Sequence, residues 1–288
     1  MPNLLGSVAL FTSNILVCTA LILLRHSADN SSTRTFYLLA ANCLAGLLGF
    51  IPFRKENIFR FDGPTLAVIV WSACYCAEYG IFLVFPGIIS LSQLIVCNCL
   101  APFIAIFVSQ DVQRTALSGG YKLLSIAPIL FLIGISYLER TDGNRSDAFA
   151  WLILLLVFLS VVISQSCARY VARNRAPSWS QPRLTMLNAI FLALVLSVAL
   201  HHSRSVLQHS MKISLCLFVG VMILLIQRLY VYGLKKADPF ISAMTLCTIV
   251  PLSLGIEFIF EHRRVGLAEI ALATGYVLSN AVSVKITT

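Results

Sequence analysis

Leu91-Ser92-Gln93-Leu94-Ile95-Val96-Cys97-Asn98-Cys99-Leu100-Ala101-Pro102 and Phe240-Ile241-Ser242-Ala243-Met244-Thr245-Leu246-Cys247-Thr248-Ile249-Val250-Pro251 are two apolar runs of one chain that align on a shared proline. Each is preceded by a tight turn, Phe85-Pro86-Gly87 in the first case and Lys235-Lys236-Ala237-Asp238-Pro239 in the second, and by an aromatic-rich run. Each is followed by a charged linker and a final apolar run. The elements therefore match in order over residues 1–140 and 147–288, which are read as two repeats. Working outward from the two quoted runs, apolar stretches fall near residues 4–24, 36–53, 65–85, 88–109, 121–138, 149–171, 184–201, 212–234, 239–260 and 266–285. They are numbered here as spans one to ten. Five spans is an odd number, so the second half must enter the membrane from the opposite side. The expected fold is all-α and integral to the membrane, ten transmembrane helices in a 5+5 inverted repeat, a construction typical of secondary transporters.

Composition agrees with a chain in lipid. Of 288 residues, 58% are hydrophobic and 11% charged, a balance that a soluble domain of this size would struggle to keep in solution. A spanning helix needs roughly 20 apolar residues to cross about 30 Å of hydrocarbon, so ten spans with short loops use up the length. The run from Leu4 to Leu24 lacks a basic leader and a small-residue cleavage site and is read as the first span, not as a signal peptide. A net charge of +9 is carried mostly beside apolar runs, where it sets topology and meets anionic headgroups, so no nucleic-acid partner is expected. Basic residues number twelve on the side that holds both termini and eight on the other, which places both termini in the cytoplasm of a cell (inner) membrane. Asn30-Ser31-Ser32 and Asn144-Arg145-Ser146 match the glycosylation acceptor pattern and fall on the outer side. Nine cysteines are scattered without C-x-x-C spacing and read as small apolar packers. No metal site and no cofactor is expected.

Ionisable groups in hydrocarbon cost several kcal/mol and mark function by default. Glu78 lies inside span three and Arg228 inside span eight, at equivalent positions within one residue on the proline alignment. Trp71, Tyr75, Glu78 and Phe82 share one helical face, and Arg228 is joined by Gln227, Tyr230 and Tyr232. An aromatic-walled cavity with one carboxylate and one guanidinium suits an amino acid or other zwitterion, because Arg clamps a carboxylate with two parallel hydrogen bonds. The competing reading is a structural Glu78–Arg228 pair. Counting residues from the span starts puts the two roughly 10 Å apart in height, which favours two stations on one pathway.

Span four adds Gln93, Cys97, Asn98 and Pro102; span nine adds Ser242, Thr245, Thr248, Pro251 and Ser253. A proline inside a span frees a backbone carbonyl and kinks the helix, shaping either a site or a packing joint. Ser7, Asn14 and Cys18 on span one, and Ser160, Ser164 and Cys167 on span six, each line one face and read as helix–helix contacts before ligands. Tyr276, Ser279, Asn280 and Ser283 on span ten read the same way, or as the face of a homodimer. Glu78 and Glu257 are the proton-coupling candidates, since a buried carboxyl can titrate in the physiological range. For Glu257 the alternative is an interfacial pair with Arg263 or Arg264. His201, His202 and His209 fit no metal signature.

The stretches Leu234-Lys-Lys-Ala-Asp-Pro-Phe-Ile-Ser-Ala-Met-Thr-Leu-Cys-Thr-Ile-Val-Pro251 and Arg264-Val-Gly-Leu-Ala-Glu-Ile-Ala-Leu-Ala-Thr-Gly275 resemble the last two helices and linker of the drug/metabolite transporter superfamily, in particular its EamA-like members. The resemblance implies a ten-helix transporter with a central cavity lined mainly by spans three, four, eight and nine, exporting or exchanging small organic solutes. The family commonly places a Glu in the linker after span nine. Here Arg263 stands near that position, with Glu261 two residues earlier.

The function expected from these features is secondary transport of a small organic metabolite by alternating access, one half rocking against the other. The partners are that solute and the bilayer. No G-x-x-x-x-G-K-[ST] loop is present, so ATP drive by this chain is not expected. A flippase or transporter for a lipid-linked or nucleotide-linked sugar is the alternative within transport. Outside it stand a structural membrane protein and a membrane enzyme acting on prenyl phosphates. The chain has no D-x-x-x-D cluster of the kind such an enzyme needs, and the expectation is that it is not an enzyme.

Overall fold

Apolar runs closed by charge or proline become helices wherever the computed structural model describes the chain: residues 2–27, 31–50, 63–84, 91–108, 148–174 and 213–249, together with positions 187, 190, 194, 252, 255, 259, 271, 274, 275 and 278. The helices are α1 (Pro2–Ser27), α2 (Ser31–Phe50), α3 (Gly63–Val84), α4 (Leu91–Val108), α5 (Ala148–Arg173), α6 (Ile213–Lys236) and α7 (Pro239–Leu246). They correspond to spans one to four, six, eight and the start of nine. Span five lies outside the described residues, as does the turn at Phe85-Pro86-Gly87. Spans seven and ten are represented by isolated helical positions. Among the described residues all regular structure is helical, as lipid requires of a backbone with no water to bond to.

Proline placement follows the hydrogen-bond ladder. Pro2, Pro64 and Pro239 stand in the first turn of α1, α3 and α7, where a missing N–H removes no intrahelical bond. Pro102 sits inside α4. Among the described residues, three helices contain stretches long and apolar enough to cross a membrane: Asn3–Leu24, Leu155–Arg173 and Ile213–Lys236. The first, 22 residues long, reaches about 33 Å at 1.5 Å per residue.

Large apolar side chains also cover the outside of these helices. Leu4, Val8, Phe11 and Ile15 form a stripe on α1, each at least 39% exposed. Leu152, Leu155, Leu159 and Ile163 do the same on α5. In water such stripes would drive association, whereas hydrocarbon solvates them without cost. These helices suit a bilayer.

The helices pack in two groups that do not follow chain order. α1 lies against α6 and α7, and α2 against α6. α5 lies against α3 and α4. In the first group Ala20, Leu24, Tyr37, Ala41, Cys216 and Val219 share one core. In the second, Ala101 packs with Ile153, Val157 and Val161.

Small residues allow the close approach inside the first group. A Cβ on Gly6 would stand 2.5 Å from the Ala237 nitrogen, and one on Gly233 would meet Leu10 and the Gly6 carbonyl. A Cβ on Gly220 would stand 2.9 Å from the carbonyl oxygen of Ala41. Helix association in lipid relies on such backbone proximity, since lipid tails are as apolar as leucine.

Candidate functional site

The polar interior is built around the joint between α6 and α7. Only Ala237 and Asp238 separate the two helices. The Asp238 carboxylate accepts from the Phe240 N–H at 2.9 Å and so caps α7, while its own N–H donates to Asn3 Oδ1 at 2.9 Å. Asp beside proline is a favourable start for a helix. The tight turn expected over Lys235–Pro239 is present, and it is tied to the beginning of α1.

α7 runs for eight residues and gives way to a turn at Cys247 and Thr248. There the ladder tightens: Cys247 N–H still reaches the Ala243 carbonyl, but Thr248 N–H bonds Thr245, three residues back, at 3.1 Å. The chain then resumes helical bonding from Leu252 to Thr248. Pro251 has no N–H to offer Cys247, four residues earlier, which is the chemistry expected to interrupt the helix at this point. Asn14 of α1 binds main chain one and two residues before Cys247. Its Nδ2 donates to the carbonyls of Thr245 and Leu246, both at 3.0 Å, and lies 3.1 Å from Thr248 Oγ1. Thr248 Oγ1 donates to the Thr245 carbonyl at 2.6 Å, and Thr245 Oγ1 to Ile241 at 2.8 Å. Asn14, Thr245 and Thr248 are all buried.

A second polar cluster lies between α3, α5 and α6. Trp71 is buried, with its ring centroid 6.0 Å from that of Tyr230 and the planes tilted by 45°. The Tyr230 hydroxyl donates to Gln165 Oε1. Val68, Ala168 and Val171 complete the apolar surround, with Val231 and Leu234 against them. Arg169, one turn beyond Gln165, is 3% exposed, and its charge faces Tyr230 and Asp238.

The sequence-predicted residues are distributed unevenly over this interior. Trp71 is in the second cluster, and Tyr75, one turn further along α3, is half-buried. Thr245 and Thr248 are in the first cluster. Gln227 is half-buried on α6, whereas Arg228 and Tyr232 are exposed in line with Leu217, Val221 and Leu225. Glu78 lies on α3 and Gln93 and Asn98 on α4; the side chains of all three are outside the described residues, as is the whole of Glu257. Among the described residues no group of His, Cys, Asp and Glu converges as metal ligands.

Asn14, Gln165 and Arg169 were not among the predicted site residues. Asn14 stands among the helix-contact residues, and the structure makes it a contact to main chain. Arg169 stands among the charges that set topology, yet it is buried. The signal for it was its place within span six, one turn from Gln165 on the same face.

The sequence matches no family model and no curated protein. The chain is similar to a solved structure described only as the crystal structure of a protein, with a TM-score of 0.70, 13% identity, and coverage of 99% of this chain and 96% of that one. Likeness at that identity is a likeness of fold.

Proposed function

We propose that the chain is a secondary transporter of a small organic solute, built as ten spans in two inverted five-helix halves and related to the EamA-like drug/metabolite transporters. The observation that carries this reading is an exchange of packing partners. α1, the first helix of the first half, lies against α6 and α7, the third and fourth spans of the second half. α5, the first helix of the second half, lies against α3 and α4, the third and fourth spans of the first. A two-fold axis relating inverted repeats generates this reciprocity, and neighbouring helices packed in chain order would not. The interrupted α7 adds to it, since broken helices near the repeat interface supply backbone groups to solute and ion sites in transporters.

On this reading Trp71, Tyr75, Glu78, Gln93, Asn98, Gln227, Arg228, Tyr232, Thr245 and Thr248 line the path, with Glu78 or Glu257 coupling solute movement to protons. A zwitterion such as an amino acid is the preferred substrate class: the two opposite charges match its ammonium and carboxylate, and the aromatic rings cover its apolar part.

The test is reconstitution in liposomes under an imposed pH gradient, with amino acids, quaternary amines and nucleotide-sugars offered in turn. Gradient-dependent uptake of an amino acid is the expected result. Uptake confined to nucleotide-sugars would move the substrate to the sugar-linked class, and no uptake of any solute would remove the transport reading.

A further inference from the structure

The two packing groups described above, α1-α2-α6-α7 and α3-α4-α5, each draw helices from both sequence halves. Among the described residues, the named side-chain contacts between the groups gather at one end of the molecule. Tyr230 of α6 meets Trp71 of α3 and donates to Gln165 of α5. Phe240 of α7 meets Phe107 of α4 edge to face, with centroids 6.3 Å apart and planes at 88°. Arg169 of α5 is buried in the same layer. Phe240 and Phe107 lie one residue from the start of α7 and from the end of α4, whereas Trp71 lies eight residues into α3 and Gln165 and Tyr230 lie eight and six residues before the ends of α5 and α6. The Phe107–Phe240 pair therefore sits near the level of Asp238, and Trp71, Gln165 and Tyr230 sit about 9–12 Å deeper on the same side at 1.5 Å per residue. Farther from that side the described cores stay within one group: Ala20, Leu24, Tyr37 and Cys216 in the first, Ile153 and Val157 in the second.

We propose that this layer is a latch. The Tyr230 hydroxyl on Gln165, with the ring pairs Trp71–Tyr230 and Phe107–Phe240, holds the two composite groups shut at the end carrying Asn3 and Asp238, and access to that side opens when the groups part there. This rests on the transport reading for its purpose. The moving bodies are then not the two sequence halves. α1 travels with α6 and α7, to which Asn14 and the glycine contacts fix it, and α5 travels with α3 and α4. Tyr230 is suited to such a joint because its ring packs against an apolar neighbour while one neutral hydrogen bond supplies a small, breakable increment, and a latch that must cycle needs a bond of that size.

Thiol labelling of purified full-length protein tests the latch without any substrate. In a background with the nine native cysteines replaced, Val68→Cys puts a reporter at a position that is 0% exposed inside the layer, and the rate of reaction with N-ethylmaleimide reads how often the groups part. Tyr230→Phe removes the hydroxyl and is expected to raise the rate about fivefold, the effect of one neutral hydrogen bond. Gln165→Glu gives the hydroxyl an ionised, stronger acceptor and is expected to hold the rate at or below the parent's. Ser13→Ala removes a hydrogen bond of similar kind within one group, from Ser13 Oγ to the Ile226 carbonyl at 3.3 Å, and is expected to lower thermal stability while leaving the rate within about twofold.

An unchanged rate in Tyr230→Phe overturns the latch. So does an equal rise in Ser13→Ala, which would mark general loosening. Should the reporter at position 68 prevent folding, Ala168→Cys, also 0% exposed in the same layer, takes its place. Failure of solute uptake in liposomes removes the transport reading but leaves the labelling result standing, so the two can fail separately.

Discussion

Asn14 Nδ2 lies 3.0 Å from the carbonyl oxygen of Thr245, a residue 231 positions later in the chain. The same amide group serves Leu246 and Thr248, so one side chain of α1 ties that helix to main chain beside the turn after α7, where the Thr245 carbonyl also accepts from Thr248. Buried carbonyls without donors cost about 1–3 kcal/mol. Asn14→Ala is therefore expected to lower stability by about that amount, seen as a lower melting temperature in detergent by scanning fluorimetry. Asn14→Asp, whose ionised carboxylate faces three oxygens, is expected to melt lower still at pH 8. A wild-type melt for Asn14→Ala would mean that the interruption is satisfied from elsewhere.

Glycine positions give a contrast in sign. Gly220→Ala drives a Cβ to 2.9 Å from the Ala41 carbonyl, and separating α2 from α6 to relieve it costs about 1–3 kcal/mol. Gly255 has nothing within 4 Å of the same atom. Gly255→Ala gains helix propensity of up to about 1 kcal/mol, and its melting temperature should match or exceed the parent's. The same fluorimetric comparison decides both.

Asp238 has two separable duties. Asp238→Ala loses the cap on Phe240, worth about 1 kcal/mol, along with the negative charge that faces Arg169. Asp238→Asn keeps an acceptor for the cap and loses only the charge. Stability is expected to fall in the order parent, Asp238→Asn, Asp238→Ala. Equal melting of the parent and Asp238→Asn would show that the charge contributes nothing and the cap everything.

In the transport assay, Glu78→Gln and Arg228→Ala are each expected to reduce uptake of a zwitterion at least about tenfold, the usual loss for a charged hydrogen bond, with elution in size exclusion unchanged. If Trp71 lines the path as proposed, Trp71→Ala weakens apparent affinity more than maximal rate, because uniform binding is lost. Full activity of Arg228→Ala would place the exposed stripe of α6 on the outer wall, away from the solute.

Element positions were readable because hydropathy is a one-dimensional signal. The expected 149–171 became Ala148–Arg173, and 212–234 became Ile213–Lys236. Pro251 inside span nine predicts a freed carbonyl, and the turn falls three and four residues before it, at Thr248 and Cys247. Partner choice was not readable in the same way. Whether Gln165 meets Tyr230, or Asn14 meets Thr245, depends on which helices become neighbours, and polar residues on an apolar helix look alike in sequence whichever neighbour they serve. Arg169 shows the same limit from the other direction: a cation near the end of a span has the same sequence signature whether it reaches the headgroups or turns inward.

The reciprocal packing of α1 and α5 also constrains how the chain is made. α1 is made before the other described helices, yet its main partner, α6, begins at Ile213. At translation rates of about 5–20 residues per second, the wait lasts on the order of 10–40 s. Through that interval α1 has only its smaller contact with α2, and its glycine and asparagine face is turned to lipid or to a membrane chaperone. The first half synthesised by itself has no partner for that face. Two halves made as separate chains would have to find each other to complete it.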